Sequence, residues 1–421
     1  MSGTISVKRG SVFRMAGGLI AAMAISVLIA ACGGDDGPSN QWVASWSAAQ
    51  QNLTDSLPPI VPVEPPMAFA NQTIRQIIHP SHGGSQIRIK LSNLFGQTDL
   101  TFTSVHVALS TGNGAINTST DEPITFGGQS AITIPAGTEL WSDTLGLSFP
   151  TQTDLAVSMF VQGSAALTTV HATSLQTNYI GSGNQVSSPS VSAASPITSN
   201  LWLSGVDVSS ASKVKVVVAF GDSITDGFQS TIGANHRWPN FLDDRLQAAG
   251  SSVGAVSVVN AGIGGNRWLN NVVGPAGATR FSRDVLAISG ATHVIILLGI
   301  NDIGLGKLVP SQAVTADQID SAITTAINQA KANGLKVIVG TLLPFNGAFY
   351  FDANAEAKRQ AVNTFLRSAP GVDGVVDFDS VMQNPSDPTS LNPAYDSGDH
   401  LHPNDSGYQV MANAINLQLF N

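Results

Sequence analysis

The sequence predicts two folded parts, an all-β region followed by an α/β domain. Residues 41–212 consist of short alternations of apolar and polar residues with no long helical period. Residues 213–421 alternate apolar strands with longer amphipathic segments, a pattern typical of βαβ units around a parallel sheet. A chain of 421 residues also exceeds the usual size of one domain.

Composition limits the function classes. Hydrophobic residues make up 43% of the chain and charged residues only 11%, so the chain has ample material for a core and is unlike a disordered protein. The formal net charge is −9. A surface of this sign repels phosphate backbones, and we therefore expect no nucleic-acid partner.

Residues 1–31 have the layout of a secretory leader. Lys8, Arg9 and Arg14 precede a mostly apolar run, residues 15–31, which ends in small residues directly before Cys32. The run is short for a helix that spans a membrane. We expect the leader to be removed during export.

Cys32 is the single cysteine, so the fold forms no internal disulfide. Residues 28–32, Leu-Ile-Ala-Ala-Cys, resemble a bacterial lipobox, in which the cysteine becomes a lipid-carrying N-terminus. The alternative is a plain signal peptide with an incidental cysteine. The lipobox interpretation makes the protein a cell-envelope lipoprotein. Because Gly33 rather than Asp follows the cysteine, it predicts the outer membrane in a two-membrane bacterium, with residues 32–40 as a flexible tether.

The all-β region is expected over residues 41–212. Residues 86–91 and 155–161 show the alternation most clearly, and Gly-, Thr- and Ser-rich turns separate the strands. So many short strands are typical of a sandwich or jelly roll. Residues 181–200 are rich in Ser, Gly, Asn and Pro, which predicts a surface loop or linker.

The α/β domain is expected over residues 213–421. Its predicted strands are 214–220, 256–260, 293–298, 336–342 and 374–378. Its predicted helices lie near 238–249, 279–288, 312–333, 353–368 and 405–419. Ligands of open parallel sheets bind beyond the carboxyl ends of the strands, so residues directly after the strands are the candidates for chemistry.

A serine follows the first strand of this domain. Residues 221–227, Gly-Asp-Ser-Ile-Thr-Asp-Gly, place Ser223 on the turn into a helix. The segment is neither the G-x-S-x-G elbow of α/β-hydrolases nor a phosphate loop, since Thr225 replaces the second glycine and no Lys follows. A nucleophilic serine and a structural helix cap are both consistent with it.

Two further strands end in candidate donors of N–H groups. The second strand runs into a glycine-rich turn that includes Gly265, where backbone N–H groups could hold an oxyanion. The third strand ends in Gly-Ile-Asn-Asp, so the amide of Asn301 stands on the same edge. Ordinary turn formation explains either segment equally well.

A histidine near the C-terminus is the candidate base. Asp399 precedes His402 by three residues in a short loop, and a carboxylate at that spacing can orient an imidazole. His400 lies beside it, which leaves a metal pair as an alternative, but no third ligand stands at a telling spacing. His79 and His82, the other close pair, lie in the β region. We therefore expect neither a metal nor a cofactor.

These four segments, in this order, resemble the GDSL (SGNH) hydrolase family, over about half the chain from Lys213 to the end. The resemblance implies a flavodoxin-like three-layer α/β/α domain. It assigns Ser223 as nucleophile, His402 as general base and Asp399 as its orienting carboxylate. The oxyanion donors would be Ser223, Gly265 and Asn301.

The β region is similar to the N-terminal part of a bacterial branch of the same family. The similarity lies in residues 42–46, Trp-Val-Ala-Ser-Trp, and in residues 75–77 and 91–96. Members of that branch are linked to plant polysaccharide or sugar esters, which implies an ester substrate carried on carbohydrate. Asn266, Trp268 and Phe345 lie on loops after strands and are candidate substrate contacts, although core packing explains such residues as easily.

The sequence thus predicts an exported serine esterase that acts on short acyl, above all acetyl, esters of carbohydrates. One alternative is a lipase or broad carboxylesterase. A second, of a different class, is a surface lipoprotein that binds glycans and carries a degenerate hydrolase domain.

Overall fold

The computed structural model describes residues 40–55, 65–271 and 273–421. The predicted leader, Cys32 and most of the predicted tether therefore lie outside the described residues. Asn40–Asn421 form one compact unit. In the part of the chain that is described, no helix is both long enough and apolar enough to cross a membrane.

The N-terminal region is rich in β-strands, as predicted. Its strands are β1 Gln41–Ser47, β2 Gln51–Asn52, β3 Ala68–Ile78, β4 Ile87–Ser92, β5 Leu100–Phe102, β6 Ser104–Gly112, β7 Ala115–Ile116, β8 Glu122–Pro123, β9 Ile132–Ile134, β10 Glu139–Trp141, β11 Leu155–Ala166, β12 Thr169–His171, β13 Asn178–Ser182, β14 Ser195–Ile197, β15 Asn200–Leu201 and β16 Leu203–Ser210. The larger sheets have the strand orders β1-β16-β4-β10 and β14-β13-β3-β11-β6-β7, with β8 paired to β6. The smaller ones are β15-β12-β2 and β5-β9.

Alternating burial explains these strands. In β4, Ile87, Ile89 and Leu91 are fully buried, whereas Arg88 and Lys90 on the other face are only partly covered. Trp202 fills the core, with its ring edge-to-face against Phe69 and Phe102. The all-β character is confirmed, and the jelly-roll arrangement stays a prediction.

The C-terminal region contains a five-stranded parallel sheet. Its strands are β17 Lys215–Gly221, β18 Val256–Gly262, β19 Ala291–Leu297, β20 Lys336–Gly340 and β21 Gly374–Val376. The spatial order β18-β17-β19-β20-β21 is the 2-1-3-4-5 order of flavodoxin-like sheets. All five strands were predicted to within a few residues, because continuous apolar runs mark strands that are buried on both faces. The three-layer arrangement stays a prediction.

The helices of this region are α1 Ser223–Asp226, α2 Trp238–Ala249, α3 Gly277–Phe281, α4 Ile300–Leu308, α5 Ala316–Ala332, α6 Ala353–Leu366, α7 Phe378–Met382 and α8 Asp405–Ala414. The sequence did not predict α4, because Gly304 and Gly306 lower its helix propensity. It also did not predict the hairpin of β22 Gln383–Asn384 and β23 Asp387–Leu391. The predicted loop 181–200 includes the short strand β14, which pairs with β13.

The two regions pack against each other along β1 and β18. β18 is an edge strand of the parallel sheet. The backbone of β1 accepts a hydrogen bond from Ser257 Oγ at the Ala44 carbonyl, 2.7 Å away, and Ser47 Oγ donates to the Asn260 carbonyl at 2.9 Å. Buried apolar side chains of both regions belong to one continuous hydrophobic cluster. The boundary predicted at residue 212 therefore separates the antiparallel sheets of the N-terminal region from the five-stranded parallel sheet. It does not separate two hydrophobic cores.

Candidate active site

Ser223 is the first residue of α1, directly beyond the end of β17. Asp222 caps this short helix, because its Oδ1 accepts a hydrogen bond from the Ile224 N–H at 3.1 Å. Gly227 ends the helix with φ +96, a left-handed conformation that favours glycine. As the first residue of a helix, Ser223 has a backbone N–H without an intrahelical partner. The serine hydroxyl and this N–H thus lie together at the end of the strand.

The structure brings Ser223, His402 and Asp399 into one hydrogen-bonded chain. His402 Nε2 lies 2.8 Å from Ser223 Oγ, and His402 Nδ1 lies 2.6 Å from Asp399 Oδ2. The other carboxylate oxygen, Oδ1, accepts the backbone N–H groups of Leu401 and His402. Ser223 and His402 are 5% and 8% exposed, so the chain is shielded from most solvent but remains reachable.

The environment of Asp399 keeps its carboxyl group ionised. Burial acts to raise its pKa, but the hydrogen bond from the His402 ring and the two backbone N–H groups of the loop together hold the pKa well below its usual range. An ionised carboxylate only accepts hydrogen bonds, so His402 donates from Nδ1 and its Nε2 is free to accept the Ser223 proton. The loop therefore fixes the tautomer that a general base requires.

His400 belongs to a separate pair beside this chain. Its Nδ1 lies 2.7 Å from Asp396 Oδ2, and its side chain is 53% exposed. The residue has φ +63, a left-handed backbone conformation that is uncommon for residues other than glycine. No cluster of three or more potential metal-ligating side chains occurs within residues 40–55, 65–271 and 273–421.

Gly265 and Asn301 each carry one N–H group that has no acceptor among the described residues. Asn301 stands at the start of α4, where Nδ2 donates to the Asn266 carbonyl at 3.1 Å and Oδ1 accepts the Tyr350 hydroxyl at 3.2 Å. These two bonds orient the amide and leave its second N–H without a partner among the described residues. Gly265 has φ +73, and its N–H likewise donates to no described group. Two oriented donors are therefore available to an incoming negative charge.

A buried arginine that the sequence did not single out organises these loops. Arg280 donates to the carbonyls of Gly221 and Ala261, each at 2.7 Å, and to Asn266 Oδ1 at 2.9 Å. Burial lowers its pKa to about 10, although Asp284 at 3.1 Å opposes the shift. Its side chain thus ties the ends of β17 and β18 to the glycine-rich turn. A lone Arg in a predicted helix gives no sequence signal of this role.

Two buried carboxyl groups lie behind the site. Burial raises the pKa of Asp222 to about 7, and the nearby charge of Asp302 adds to the shift. Burial likewise raises the pKa of Asp302 to about 6, although the Trp268 and Leu269 N–H groups donate to its two oxygens. Asp302 therefore holds the turn after β18 rather than facing substrate.

The three candidate substrate contacts prove to be structural, so that prediction is wrong. Trp268 and Phe345 are fully buried, and the Trp268 indole donates to the Leu298 carbonyl at 2.9 Å. Asn266 is also fully buried, with its amide donating to the carbonyls of Val273 and Pro275. Packing, the alternative explanation for such residues, accounts for all three.

The arrangement as a whole can carry out acyl transfer. A hydroxyl within hydrogen-bond reach of an oriented imidazole can become a nucleophile, and N–H donors close to it can hold the negative charge that develops on a carbonyl oxygen. The same groups act in both halves of such a reaction, because the imidazole returns its proton to the leaving group.

The family that this chain matches is one of acylhydrolases, in agreement with this chemistry. Residues 219–410 match the GDSL-like lipase/acylhydrolase family. A GDSL-like lipase from Bacteroides thetaiotaomicron is similar at 25% identity and TM-score 0.37, over 49% of this chain and 87% of that one. An acetyl xylan esterase from Geobacillus stearothermophilus is similar at 22% identity and TM-score 0.38, over 49% and 94%.

A lipase/acylhydrolase from Enterococcus faecalis is similar at 20% identity and TM-score 0.37, over 48% of this chain and 92% of that one. No curated protein sequence matches the chain. The family match therefore carries the assignment. Residues 219–410 form a GDSL-like lipase/acylhydrolase domain, and the protein is a serine ester hydrolase.

Proposed function

We propose that the protein hydrolyses carboxylic esters through an acyl-enzyme on Ser223. The observation that carries this proposal is the continuous hydrogen-bonded chain from Ser223 Oγ through His402 to Asp399. In the first half-reaction Ser223 Oγ attacks the ester carbonyl, His402 Nε2 takes the hydroxyl proton and then gives it to the departing alcohol. In the second, His402 takes a proton from water as the water oxygen attacks the acyl carbon, and it returns that proton to Ser223 Oγ as the acyl–Oγ bond breaks and the acid leaves.

Charge on the reacting oxygen is held by N–H groups of the same edge. The donors are the backbone N–H groups of Ser223 and Gly265 and the side-chain amide of Asn301. The hydrogen bond from Tyr350 supports this role, because it fixes Asn301 Oδ1 and so keeps Nδ2 turned toward the site. Donors fixed in advance cost no reorganisation when the charge develops.

The substrate we infer is a short acyl ester, above all an acetyl ester, carried on carbohydrate. Between Ser223 and Trp238 the chain has only the four-residue α1 and turns, so this segment offers no amphipathic lid for a long acyl chain. Aromatic rings flank the site: Phe228 lies 4.8 Å from the His402 ring, and Phe349 is 68% exposed beside Tyr350. Exposed aromatic faces suit stacking on sugar rings.

A purified Ser223→Ala variant tests the chemistry. It should hydrolyse p-nitrophenyl acetate at least about 10⁴-fold more slowly than the parent, the usual cost of losing a serine nucleophile. Ser230→Ala, which changes a nearby buried serine outside the hydrogen-bonded chain, is the matched control and should keep the parental rate. Parental activity in Ser223→Ala would rule the proposal out.

An ester panel tests the substrate class. We expect kcat/KM to fall from acetate to butyrate to palmitate esters of p-nitrophenol, and acetate release from acetylated xylan and acetylated sugars. A steady rise toward palmitate would favour the lipase alternative instead.

We also propose that the protein is exported and held at the cell envelope by lipid on Cys32. The support is the leader pattern of residues 1–31 and the lipobox-like residues 28–32. A Cys32→Ala change should move the protein from the membrane fraction to the soluble fraction or block its processing. A mature N-terminus elsewhere without an acyl group, found by mass spectrometry, would contradict this.

A further inference from the structure

A histidine of the β-rich region reaches the helix that carries Ser223. His171, the last residue of β12, lies with Nε2 3.0 Å from Oδ1 of Asp226, the last residue of α1. His171 Nδ1 lies 3.0 Å from the Ala49 carbonyl oxygen. Both side chains are buried, at 8% and 3% exposed. One imidazole therefore joins the β-rich region to the far end of the nucleophile helix.

The partners of His171 fix its protonation state. A carbonyl oxygen and a carboxylate oxygen both accept hydrogen bonds, and both ring nitrogens can donate at once only when the ring is an imidazolium, so these two contacts favour the protonated form. Burial acts to lower the pKa of His171, but the charge and hydrogen bond of Asp226 outweigh it, and the pKa is raised. The cation of Arg237, the other charged group that faces the ring, opposes the shift. The link is therefore a buried ion pair.

The carboxylate of Asp226 depends on this one contact. Among the described residues no other side chain hydrogen-bonds to it, and Oδ2 has no partner. A cavity of about 60 Å³ lined by both members of the pair lies beside it, so the surroundings do not hold the carboxylate by packing. Without His171, Asp226 would be a buried carboxylate with no side-chain hydrogen-bond partner among the described residues, and the charge of Arg237, beyond ion-pair distance, would be its remaining support, an unfavourable arrangement. The end of α1 would have to move to relieve it.

A small displacement of α1 acts directly on Ser223. The helix is a single turn, with Ser223 at its start and Asp226 at its end, and the Gly227 N–H donates to the Ser223 carbonyl at 2.9 Å. A Cβ on Gly262 would lie 2.3 Å from the Asp226 nitrogen, so the turn lies directly on β18. A second link from the β-rich region runs along the same path, since Ser47 contacts Asn260, whose amide donates to the Thr225 carbonyl at 2.7 Å. The turn cannot shift at one end alone.

We propose that His171 is a positioning residue that, through its ion pair with Asp226, holds α1 in the orientation that aligns Ser223 with His402. This inference rests on the proposed role of Ser223 as nucleophile. It gives the β-rich region a part in the reaction, although that region places no side chain in the chain from Ser223 to Asp399.

Two substitutions at His171 separate its two hydrogen bonds. In His171→Asn the shorter amide can still donate to Ala49 but does not reach Asp226. In His171→Gln the longer amide can donate to Asp226 without a charge. The matched control is His106→Leu, which removes a comparable pair inside the β-rich region, between His106 Nδ1 and Asp121 Oδ2 at 3.0 Å.

We expect His171→Asn to lower kcat for p-nitrophenyl acetate about 10- to 100-fold, the scale of a misaligned catalytic group, with KM nearly unchanged. The rate at which a fluorophosphonate probe labels Ser223 should fall by the same factor. His171→Gln should recover most of both rates, and His106→Leu should change neither. All are measured well below each variant's melting temperature. Equal kcat values for His171→Asn and His106→Leu would overturn the inference.

The pH profile provides a test that does not depend on whether His171→Asn folds. A histidine whose pKa is raised by folding stabilises the folded arrangement fully at pH values below its unfolded pKa of about 6.5. This stabilisation is lost as the pH rises through the pKa that the histidine has in the folded protein. The parent should therefore exceed His171→Gln in kcat at low pH and approach it on the alkaline side, where the neutral imidazole, like the Gln amide, donates to Asp226 without a charge. Superimposable profiles would overturn the inference. Activity retained in Ser223→Ala would instead refute the proposed function.

Discussion

The two regions of this protein relate to the chemistry in different ways. In the α/β region, the residues of the candidate site follow directly from strand ends: Ser223 after β17, Gly265 after β18 and Asn301 after β19. In the β-rich region, no described residue belongs to that site, yet His171 and Ser47 contact the segments that hold it. One region places reactive groups, and the other restrains the backbone beneath them. A site can therefore extend, in its energetics, well beyond the domain that carries its motif.

The contacts at the edge of the parallel sheet show that the two regions are not structurally independent. β18 is an edge strand, and uncovered edges and apolar faces promote aggregation. Here β1 packs against β18, and the Ala44 N–H donates to the carbonyl of Ser289, which precedes β19, at 2.9 Å. Ser81 of the β-rich region donates to Asp243 of α2 at 2.7 Å. The β-rich region thus completes the surface of its neighbour.

Removing the β-rich region should have the largest effect. We expect a chain of residues 213–421 to be insoluble or to lack a cooperative thermal transition, and to have no measurable esterase activity, because the β18 edge and part of the shared core become exposed. Circular dichroism melting and p-nitrophenyl acetate hydrolysis, with a chain of residues 40–421 as reference, measure both. A folded and fully active fragment would mean that the two regions are independent.

Within the α/β region, the largest point effect should come from Asp399→Asn. The amide can no longer hold His402 in the required tautomer, so kcat should fall by up to about 10⁴-fold while the fold persists. His400→Asn is the control, because asparagine tolerates the left-handed conformation of this neighbouring, exposed residue. It should stay within about two-fold of the parental kcat, a change too small to reflect loss of a transition-state contact. Equal losses in both variants would show that the loop, not the Asp399 contact, matters.

Asn301→Ala should have the next largest effect. Its amide acts mainly when the carbonyl oxygen becomes negative, so kcat should fall about 10²- to 10³-fold with KM nearly unchanged. Tyr350→Phe removes only the hydrogen bond that orients the amide and should cost about ten-fold or less, the scale of one net hydrogen bond. A raised KM with kcat intact for Asn301→Ala would make Asn301 a binding or turn residue.

The smallest effect on activity should come from Asp243→Asn at the contact between the regions. Burial raises the pKa of Asp243 to about 6, although Gln247, Ser81 and Gln152 donate to its carboxylate. The folded state therefore binds this proton more tightly than the unfolded state, and the free energy of unfolding falls as pH rises from about 4 through 6. The contribution is about 3 kcal/mol at most for a shift of this size.

Asn cannot be protonated in this range, so Asp243→Asn lacks the pH-dependent part of the free energy of unfolding that comes from the Asp243 carboxyl group. The melting temperature of the variant should therefore depend less on pH between 4 and 7 than that of the parent, with kcat little changed. Parallel melting curves across that range would show that Asp243 does not carry the pH dependence of the contact.

Local pattern explains which features could be predicted from the sequence. The five parallel strands are continuous apolar runs, and Ser223, Asp399 and His402 lie in short segments whose geometry depends on near neighbours. The β-rich character follows from alternation alone. The helix α4 was missed because its two glycines weaken the helical pattern, although Gly304 is required there, since a Cβ would lie 2.3 Å from the Tyr350 ring.

Other features depend on contacts between distant parts of the chain. Whether Trp268 and Phe345 face substrate or core is decided by burial, and both are fully buried. The role of Arg280 depends on three separate segments that meet at its guanidinium. They contribute the carbonyls of Gly221 and Ala261 and the side-chain oxygen of Asn266. No periodicity marks such residues, because their partners are set by the packing of strands rather than by neighbours along the chain.

The sequence by itself determined the order of strands and helices in the α/β region and the identity of the reactive groups at its strand ends, since hydrophobic period and turn chemistry are local properties. Only the tertiary structure decided that Ser223 meets His402 across 179 positions of the chain, that His171 meets Asp226 across 55, and that the two regions share one core. Such contacts arise from burial and charge pairing between segments that are distant along the chain, and no local pattern encodes which of these segments will meet.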